Sequence, residues 1–323
     1  MSIDHLYLIS TYECANGCDF CYIPSEKRSS NKMMEYEQAR DLIDELKPAV
    51  ITVSGGEPLY NLSFIRDLAK RYSAEKFIRI ETSAKKTDLF KGLVHINSDY
   101  RFYSVDVSGD GLNETVLENS EMALQKNTTI GYKAIITESN IDQIEKICEN
   151  LSKLDNLGAD VDIAIVRRTH YDNEFLNKLQ SALEYAIKAL NDIHVAMIDH
   201  MMSAYLYTDA SVEFRSCKAG TILVVDPNGK RSFCPALIGQ NISETDLAKR
   251  CEDPVCKDCT YWYMCDGGCR HIRFLEHGND FATKRSESIC AITKMWHDAI
   301  KQSLLNGVTR PPMYPTMSLR KTE

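Results

Sequence analysis

Three cysteines fall within eight residues in Cys14-Ala-Asn-Gly-Cys18-Asp-Phe-Cys21, soon after the apolar run Leu6-Tyr7-Leu8-Ile9 and its polar exit Ser10-Thr11. Thiolates so spaced on the loop after a first strand can hold three irons of a 4Fe-4S cubane and leave the fourth open. An open iron is what a cluster needs to bind a substrate or cofactor as well as carry electrons. The competing chemistry is structural zinc. Zinc sites take four ligands, commonly paired Cys-x-x-Cys or Cys/His sets, whereas this triplet offers three thiols and no histidine. The spacing favours a cluster and leaves zinc open.

A second constellation, Ser54-Gly55-Gly56-Glu57-Pro58, follows the next β-branched run. Its glycines permit positive φ and close approach of backbone to a ligand, Glu57 offers an acceptor for an ammonium group, and Pro58 fixes the exit. Alone, such a tetrapeptide is more often a turn than a site. Further polar residues stand at later strand ends: Glu81-Thr82-Ser83, then Ser104 and Asp106 in Ser104-Val-Asp106-Val-Ser108-Gly109, then Arg167-Arg168, where a cation could pair an anion. The bland readings are caps at Ser104 and Asp106 and a solvated surface pair at Arg167-Arg168.

The elements that must position these residues alternate. Predicted helices span 33–47 (stopped by Pro48), 64–72, 88–94, 114–126, 142–154 and 173–190, each carrying apolar residues at helical spacing. Predicted strands span 49–53, 77–80, 102–107, 132–136 and 161–166 after the first at Leu6, with a further strand expected at His194 to Ile198. Strand–helix alternation implies an α/β fold with parallel pairing through right-handed crossovers. Eight such units take about 250 residues, so six units within the first part of the chain suggest an open, partial (β/α)6 TIM-like barrel. In such sheets the ligand sits at the carboxyl ends of the strands, where both constellations fall. Near residue 206 the composition turns to cysteine, glycine and aromatics, so the expected domains are 1–205 and 206–323, ending in an irregular tail with Pro311, Pro312 and Pro315.

The chain has 323 residues and a net charge of −8, which gives no basic footprint for nucleic acid. No apolar run approaches the roughly 18 residues of a membrane span, and no signal segment opens the sequence, so a cytoplasmic protein without a membrane partner is expected. Twelve cysteines in a reducing compartment read as metal ligands rather than a disulfide framework. Cys148 lies on an apolar helix face and reads as a small buried hydrophobe. Gly220 to Asp226 and Lys230 to Phe233 flank the turn Asp226-Pro227-Asn228-Gly229, so a hairpin should bring Cys217 and Cys234 together. Downstream stand Cys256, Cys259, Cys265, Cys269 and Cys290.

The first triplet, with Phe20 before its last cysteine and Gly55-Gly56-Glu57-Pro58 at the next strand end, resembles the radical SAM superfamily. The resemblance implies S-adenosyl-L-methionine (SAM) on the open iron of the Cys14/Cys18/Cys21 cluster. It implies SAM contacts from the Gly55 to Pro58 turn, and it puts Ser104 or Asp106 near the SAM ribose or the substrate, although Val107 replaces the family's usual glycine. Ser83 and Arg167 are further candidates for binding SAM or substrate. The seven later cysteines resemble the SPASM extension, which holds two auxiliary clusters and so brings the total to three 4Fe-4S clusters. On that resemblance Cys217, Cys234 and Cys269 bind the first, and Cys256, Cys259, Cys265 and Cys290 the second. Cys251 either completes the first or an iron stays open.

The resemblance further implies hydrogen abstraction by a 5′-deoxyadenosyl radical, electrons from a flavodoxin- or ferredoxin-type donor, and a peptide or protein substrate that is crosslinked, oxidised or epimerised. Dehydrogenation of a sugar or aminocyclitol is the alternative. Pro235 stands where sulfatase-maturing relatives carry a catalytic Asp, which disfavours formylglycine synthesis. The 13 residues ahead of Cys14 leave no leader-binding domain expected there. Epimerising relatives use a thiol hydrogen donor, and Cys251 is the candidate.

Overall fold

Each short aliphatic run forms a strand: β1 (His5–Thr11), β2 (Val50–Gly55), β3 (Phe77–Thr82), β4 (Ser104–Gly109), β5 (Ile130–Ile136) and β6 (Asp160–Ile165). Between them run the amphipathic helices α1 (Tyr36–Leu46), α2 (Leu62–Tyr72), α3 (Thr87–Tyr100), α4 (Glu114–Gln125) and α5 (Ile144–Asn156), with α6 (Asn173–Ala189) after β6. The structure, a computed structural model, describes residues 3–206, 222–248, 251–265 and 267–308. Local chemistry sets the helix ends. Asn113 and Asp172 accept the amides of Val116 and Phe175 at the starts of α4 and α6, and Lys47 turns left-handed at φ 49° to end α1 before Pro48.

Strands β1 to β6 pair in parallel in chain order, the arrangement that helical crossovers require. Period-two alternation then gives the sheet two unlike faces. Leu6, Leu8, Ile51, Val53, Ile78, Ile80, Val105 and Val107 are at most 1% exposed and pack into the core with the helices. The other face carries Tyr7, Arg79, Glu81, Asp106, Lys133 and Asp162, joined in pairs across the strands. Tyr7 and Glu81 lie on strands two apart, about 10 Å across a flat sheet. Their hydrogen bond spans β2 on this polar face.

The predicted strand at 194–198 is a single parallel bridge, Val195 to Val161. Helix α7 (Ala196–Leu206) begins immediately after it. The reason is local capping: the Asp199 carboxylate accepts the Val195 amide at 3.0 Å and pairs with His194, and Asp162 accepts the Met197 amide at 2.9 Å. These bonds satisfy helix-start donors that a strand would have turned to a neighbour.

The later chain forms β7 (Ile222–Val225), β8 (Arg231–Ser232), α8 (Glu244–Ala248), α9 (Pro254–Lys257), α10 (Trp262–Cys265), α11 (Arg270–His277) and α12 (Glu287–Leu305). The compositional change near residue 206 does not coincide with an edge of the sheet. Strand β7 adds in parallel to β1, from His5 opposite Ile222 to Leu8 opposite Val225, giving the order β6-β5-β4-β3-β2-β1-β7-β8. Leu223, Val225, Ile292, Trp296, Ala299 and Ile300 belong to the same apolar core as Leu6 and Leu8. The predicted tail prolines lie outside the described residues. Among the described residues no helix is long and apolar enough to cross a membrane.

Candidate functional site

Beyond Thr11 the chain leaves the sheet as the cysteine loop. Gly17 takes φ +58°, and the loop is held by Cys14 N–H to Arg28 C=O at 3.0 Å and Cys21 N–H to Cys18 C=O at 3.3 Å. Tyr12 anchors its base, donating its hydroxyl to Asp226 at 3.0 Å. Cys14, Cys18 and Cys21 are half-buried free thiols. Burial pushes the Cys14 and Cys18 thiols up; at Cys18 the ammonium of Lys85, 3.7 Å from its sulfur, pulls back. Such thiols become thiolates when a metal takes the place of the proton, so this donor set fits an iron cluster. Phe20 packs, partly buried, against the main core.

The Gly55-Gly56 turn serves this loop directly. A Cβ on Gly55, at φ +144°, would lie 2.2 Å from Thr11 O, and one on Gly56 would lie 2.3 Å from Tyr12 O and 2.4 Å from Glu13 O. The close approach these glycines allow is to the chain's own backbone. Two bonds close the seam, Gly56 N–H to Thr11 C=O and Glu57 N–H to Glu13 C=O, both 2.8 Å. Glu57 is 1% exposed, and its carboxylate accepts five hydrogen bonds, from Asn16 of the cysteine loop, Leu59 N–H, the Thr82 hydroxyl, and both the hydroxyl and N–H of Ser83. The acceptor expected to meet an ammonium group is filled by protein donors and ties the ends of β1, β2 and β3 together. Glu57→Gln would turn a donor toward donors, and an expected loss of about 3 kcal/mol, read by urea denaturation, checks this role.

Below the seam lies the polar face. Ser104 Oγ is buried and has no hydrogen-bond partner among the described residues. Asp106 pairs with Arg79, and Gly131 leaves room for it: a Cβ there would stand 2.9 Å from its carboxylate. Arg167 is exposed beyond the end of β6, with Nη1 3.6 Å from Cys269 Sγ.

Spacing places Glu81 at a strand end without a role and leaves Tyr7 and Arg79 unnamed as site residues; the signal available for Tyr7 is the alternation His5, Tyr7, Ile9 within an apolar strand. Burial first, then the nearby Asp106, raise the Glu81 carboxyl, while the Tyr7 hydroxyl pulls it down. The folded state therefore holds the Glu81 proton to higher pH than the unfolded chain. Stability present below about pH 4 is lost as pH rises through the native value. Urea midpoints across roughly pH 4 to 8 should fall less in Glu81→Gln than in the unaltered chain, and parallel curves would remove the assignment.

The hairpin expected at Asp226-Pro227-Asn228-Gly229 forms, with Asp226 Oδ1 accepting Asn228 and Lys230 amides at 2.8 and 2.9 Å and Gly229 at φ +75°. Cys234 follows its second strand, whereas Cys217 lies outside the described residues. Cys256, Cys259, Cys265 and Cys290, from α9, the loop after it, α10 and α12, line one cavity with Trp262, Arg285 and Lys294. Burial pushes the Cys256 thiol up to about 12 and raises that of Cys290. Cys269 stands at the start of α11. Cys251 is 3% exposed and packs on Gly267 beside Cys256. Cys148 is buried in the helical core, as its apolar helix face predicts. Among the described residues no three His, Cys, Asp or Glu side chains converge on a single-ion site.

Residues 8–177, more than half of the chain, match the family described as the Radical SAM superfamily. The chain belongs to the radical SAM superfamily. Membership implies SAM and a 4Fe-4S cluster. Among solved structures, anSMEcpe with bound AdoMet superposes with a TM-score of 0.70 at 15% identity, covering 94% of this chain and 98% of that one. SuiB of Streptococcus suis bound to precursor peptide SuiA gives 0.63 at 16% identity, covering 90% and 76%. A further anSMEcpe structure holds AdoMet and the Kp18Cys peptide, with a TM-score of 0.69 at 16% identity over 94% and 98%. At these identities the likeness is one of fold. No curated protein matches the chain in sequence.

Proposed function

We propose that this radical SAM protein modifies a peptide or protein by hydrogen abstraction, forming a crosslink, an oxidised residue or an epimer. The observation that carries the reading is the seam at the strand ends, where Glu57 and Ser83 bind the cysteine loop through Asn16. Bound together, cluster and SAM supply one-electron cleavage of SAM to methionine and a 5′-deoxyadenosyl radical that takes a hydrogen atom from the substrate. In this reading Cys14, Cys18 and Cys21 hold the cluster. The Gly55 to Pro58 backbone and Ser83 shape the SAM cradle. Ser104, with its unfilled hydroxyl, and Asp106 face SAM or substrate, and Arg167 offers a cation at the rim.

Residues 206–323 form the auxiliary region of SPASM type. Cys256, Cys259, Cys265 and Cys290 hold one cluster, a reading supported by their shared cavity. Cys217, Cys234 and Cys269 belong to another. Cys251 packs behind Cys256 and serves structure. Electrons come from a flavodoxin- or ferredoxin-type donor.

A peptide substrate is favoured by the likeness to SuiB and anSMEcpe, both solved with peptides. The test is to incubate reconstituted protein with SAM, reductant and candidate peptides or sugars, following 5′-deoxyadenosine and substrate mass. Peptide-stimulated SAM cleavage with hydrogen loss, or deuterium uptake in heavy water, is expected. Stimulation by a sugar alone would replace the peptide reading.

A further inference from the structure

Arg273, on α11, is 0% exposed and heads the largest fully buried side chains among the described residues. Its Nε, Nη1 and Nη2 all lack a hydrogen-bond partner among the described residues. A guanidinium cannot relieve this by losing its proton, and an unpaired buried charge is strongly unfavourable. Glu276, three residues on, accepts instead from Ser286 and Ser288 and lies near His277. What remains is the ring of Phe281, 5.9 Å from the guanidinium carbon, a contact too weak to offset the desolvation.

The backbone N–H of Arg273 bonds Cys269 C=O one turn earlier, at the start of α11, at 2.9 Å, while its guanidinium lies beside the wall of the four-cysteine cavity. Gly267 is part of its wall, and a Cβ on Gly267 would lie 3.5 Å from Arg273 Nη1 and 2.6 Å from Cys251 Sγ, the thiol that contacts Cys256. Two more cations, Arg285 and Lys294, line the cavity itself. The termini of Arg285 pair with Asp253 and Glu287, yet its Nε has no partner among the described residues. With the Arg285 charge offset by Asp253 and Glu287, a pocket of four thiols edged by Lys294 and backed by one unpaired buried cation suits a net anion. A cubane bound by four thiolates is one.

We propose that Arg273 is the buried counter-charge of the cluster held by Cys256, Cys259, Cys265 and Cys290, and that it raises that cluster's reduction potential so that the site accepts an electron readily. This rests on the reading of these four cysteines as cluster ligands. Each added electron makes the cluster more negative, so a fixed cation behind it stabilises the reduced form more than the oxidised one. In the cluster-free chain the same cation is uncompensated and works against folding.

The experiment compares full-length, anaerobically reconstituted protein with Arg273→Met and Arg273→Lys. Iron and sulfide are quantified, cluster midpoints are read by spectroscopic redox titration, and urea midpoints are measured on the cluster-free chains. Arg273→Met should lower one midpoint by about 59 mV, a tenfold change in the one-electron ratio, and should raise the urea midpoint of the cluster-free chain. Arg273→Lys should stay near the unaltered midpoint. Should the Met variant lose the cluster, recovery of iron and midpoint by Lys supports the proposal, and failure of Lys overturns it. A full iron complement with unchanged midpoints in Arg273→Met overturns the role of Arg273 alone. Unaltered protein that binds only about four iron overturns the underlying reading instead.

Discussion

Protein carrying Cys14→Ala, Cys18→Ala and Cys21→Ala is expected to form no 5′-deoxyadenosine above the enzyme-free control, to hold about four fewer iron atoms per chain, and to keep its fold. The loss follows because the loop supplies all three thiols of the site, and Lys85, Asn16 and Arg28 around them bring no further sulfur. Folding should survive because the loop is fastened by backbone and neighbouring side chains. Cys14 N–H still reaches Arg28, Gly56 and Glu57 still bond Thr11 and Glu13, and Tyr12 still donates to Asp226. Iron analysis and circular dichroism on one preparation separate the two effects. Undiminished SAM cleavage in the triple variant would remove the loop from the chemistry.

Gly56→Ala carries the second large effect. Its Cβ would fall within 2.4 Å of two carbonyl oxygens on the paired strand exit, and neither is the mobile end of a side chain. Relief requires β1 and β2 to part where two 2.8 Å bonds join them, so a cost of about 3 kcal/mol or more is expected, a melting temperature lower by roughly 6 to 12 °C. The separation also moves Glu57 away from Asn16, so iron retention should fall along with stability. Gly17→Ala is the control: φ is +58°, nothing lies within 4 Å, and only the left-handed conformation is penalised, by about 1 kcal/mol. Equal losses in the two variants would mean that the close approach at Gly56 is relieved at little cost and does not hold the turn.

Much of this was legible in the chain. The Cys14 triplet and the Gly55-Gly56 turn follow consecutive β-branched runs, and parallel pairing puts consecutive strand ends side by side, so their meeting could be read from spacing and topology rules. The Asp226 to Gly229 hairpin is likewise local chemistry. The unread features depend on long-range neighbours. Whether Val195 continues a strand was decided by Asp199 and Asp162 capping the next helix. That Ile222–Val225 would pair with β1 depends on which edge of the sheet is free, which alternation does not encode. Period two assigns Tyr7 and Glu81 to one face but does not say that side chains two strands apart meet. Glu57 looked available because four of its five donor bonds come from two distant segments, Asn16 and Thr82-Ser83.

The proposed function requires Cys14, Cys18 and Cys21 to hold a cluster that cleaves SAM. Purified protein reconstituted anaerobically with iron and sulfide, then given SAM and dithionite, should yield 5′-deoxyadenosine and methionine in equal amounts by mass spectrometry, with about 12 iron per chain if all three cubanes form. Zinc in place of iron, or no 5′-deoxyadenosine above the enzyme-free control from protein that retains its iron, would contradict it.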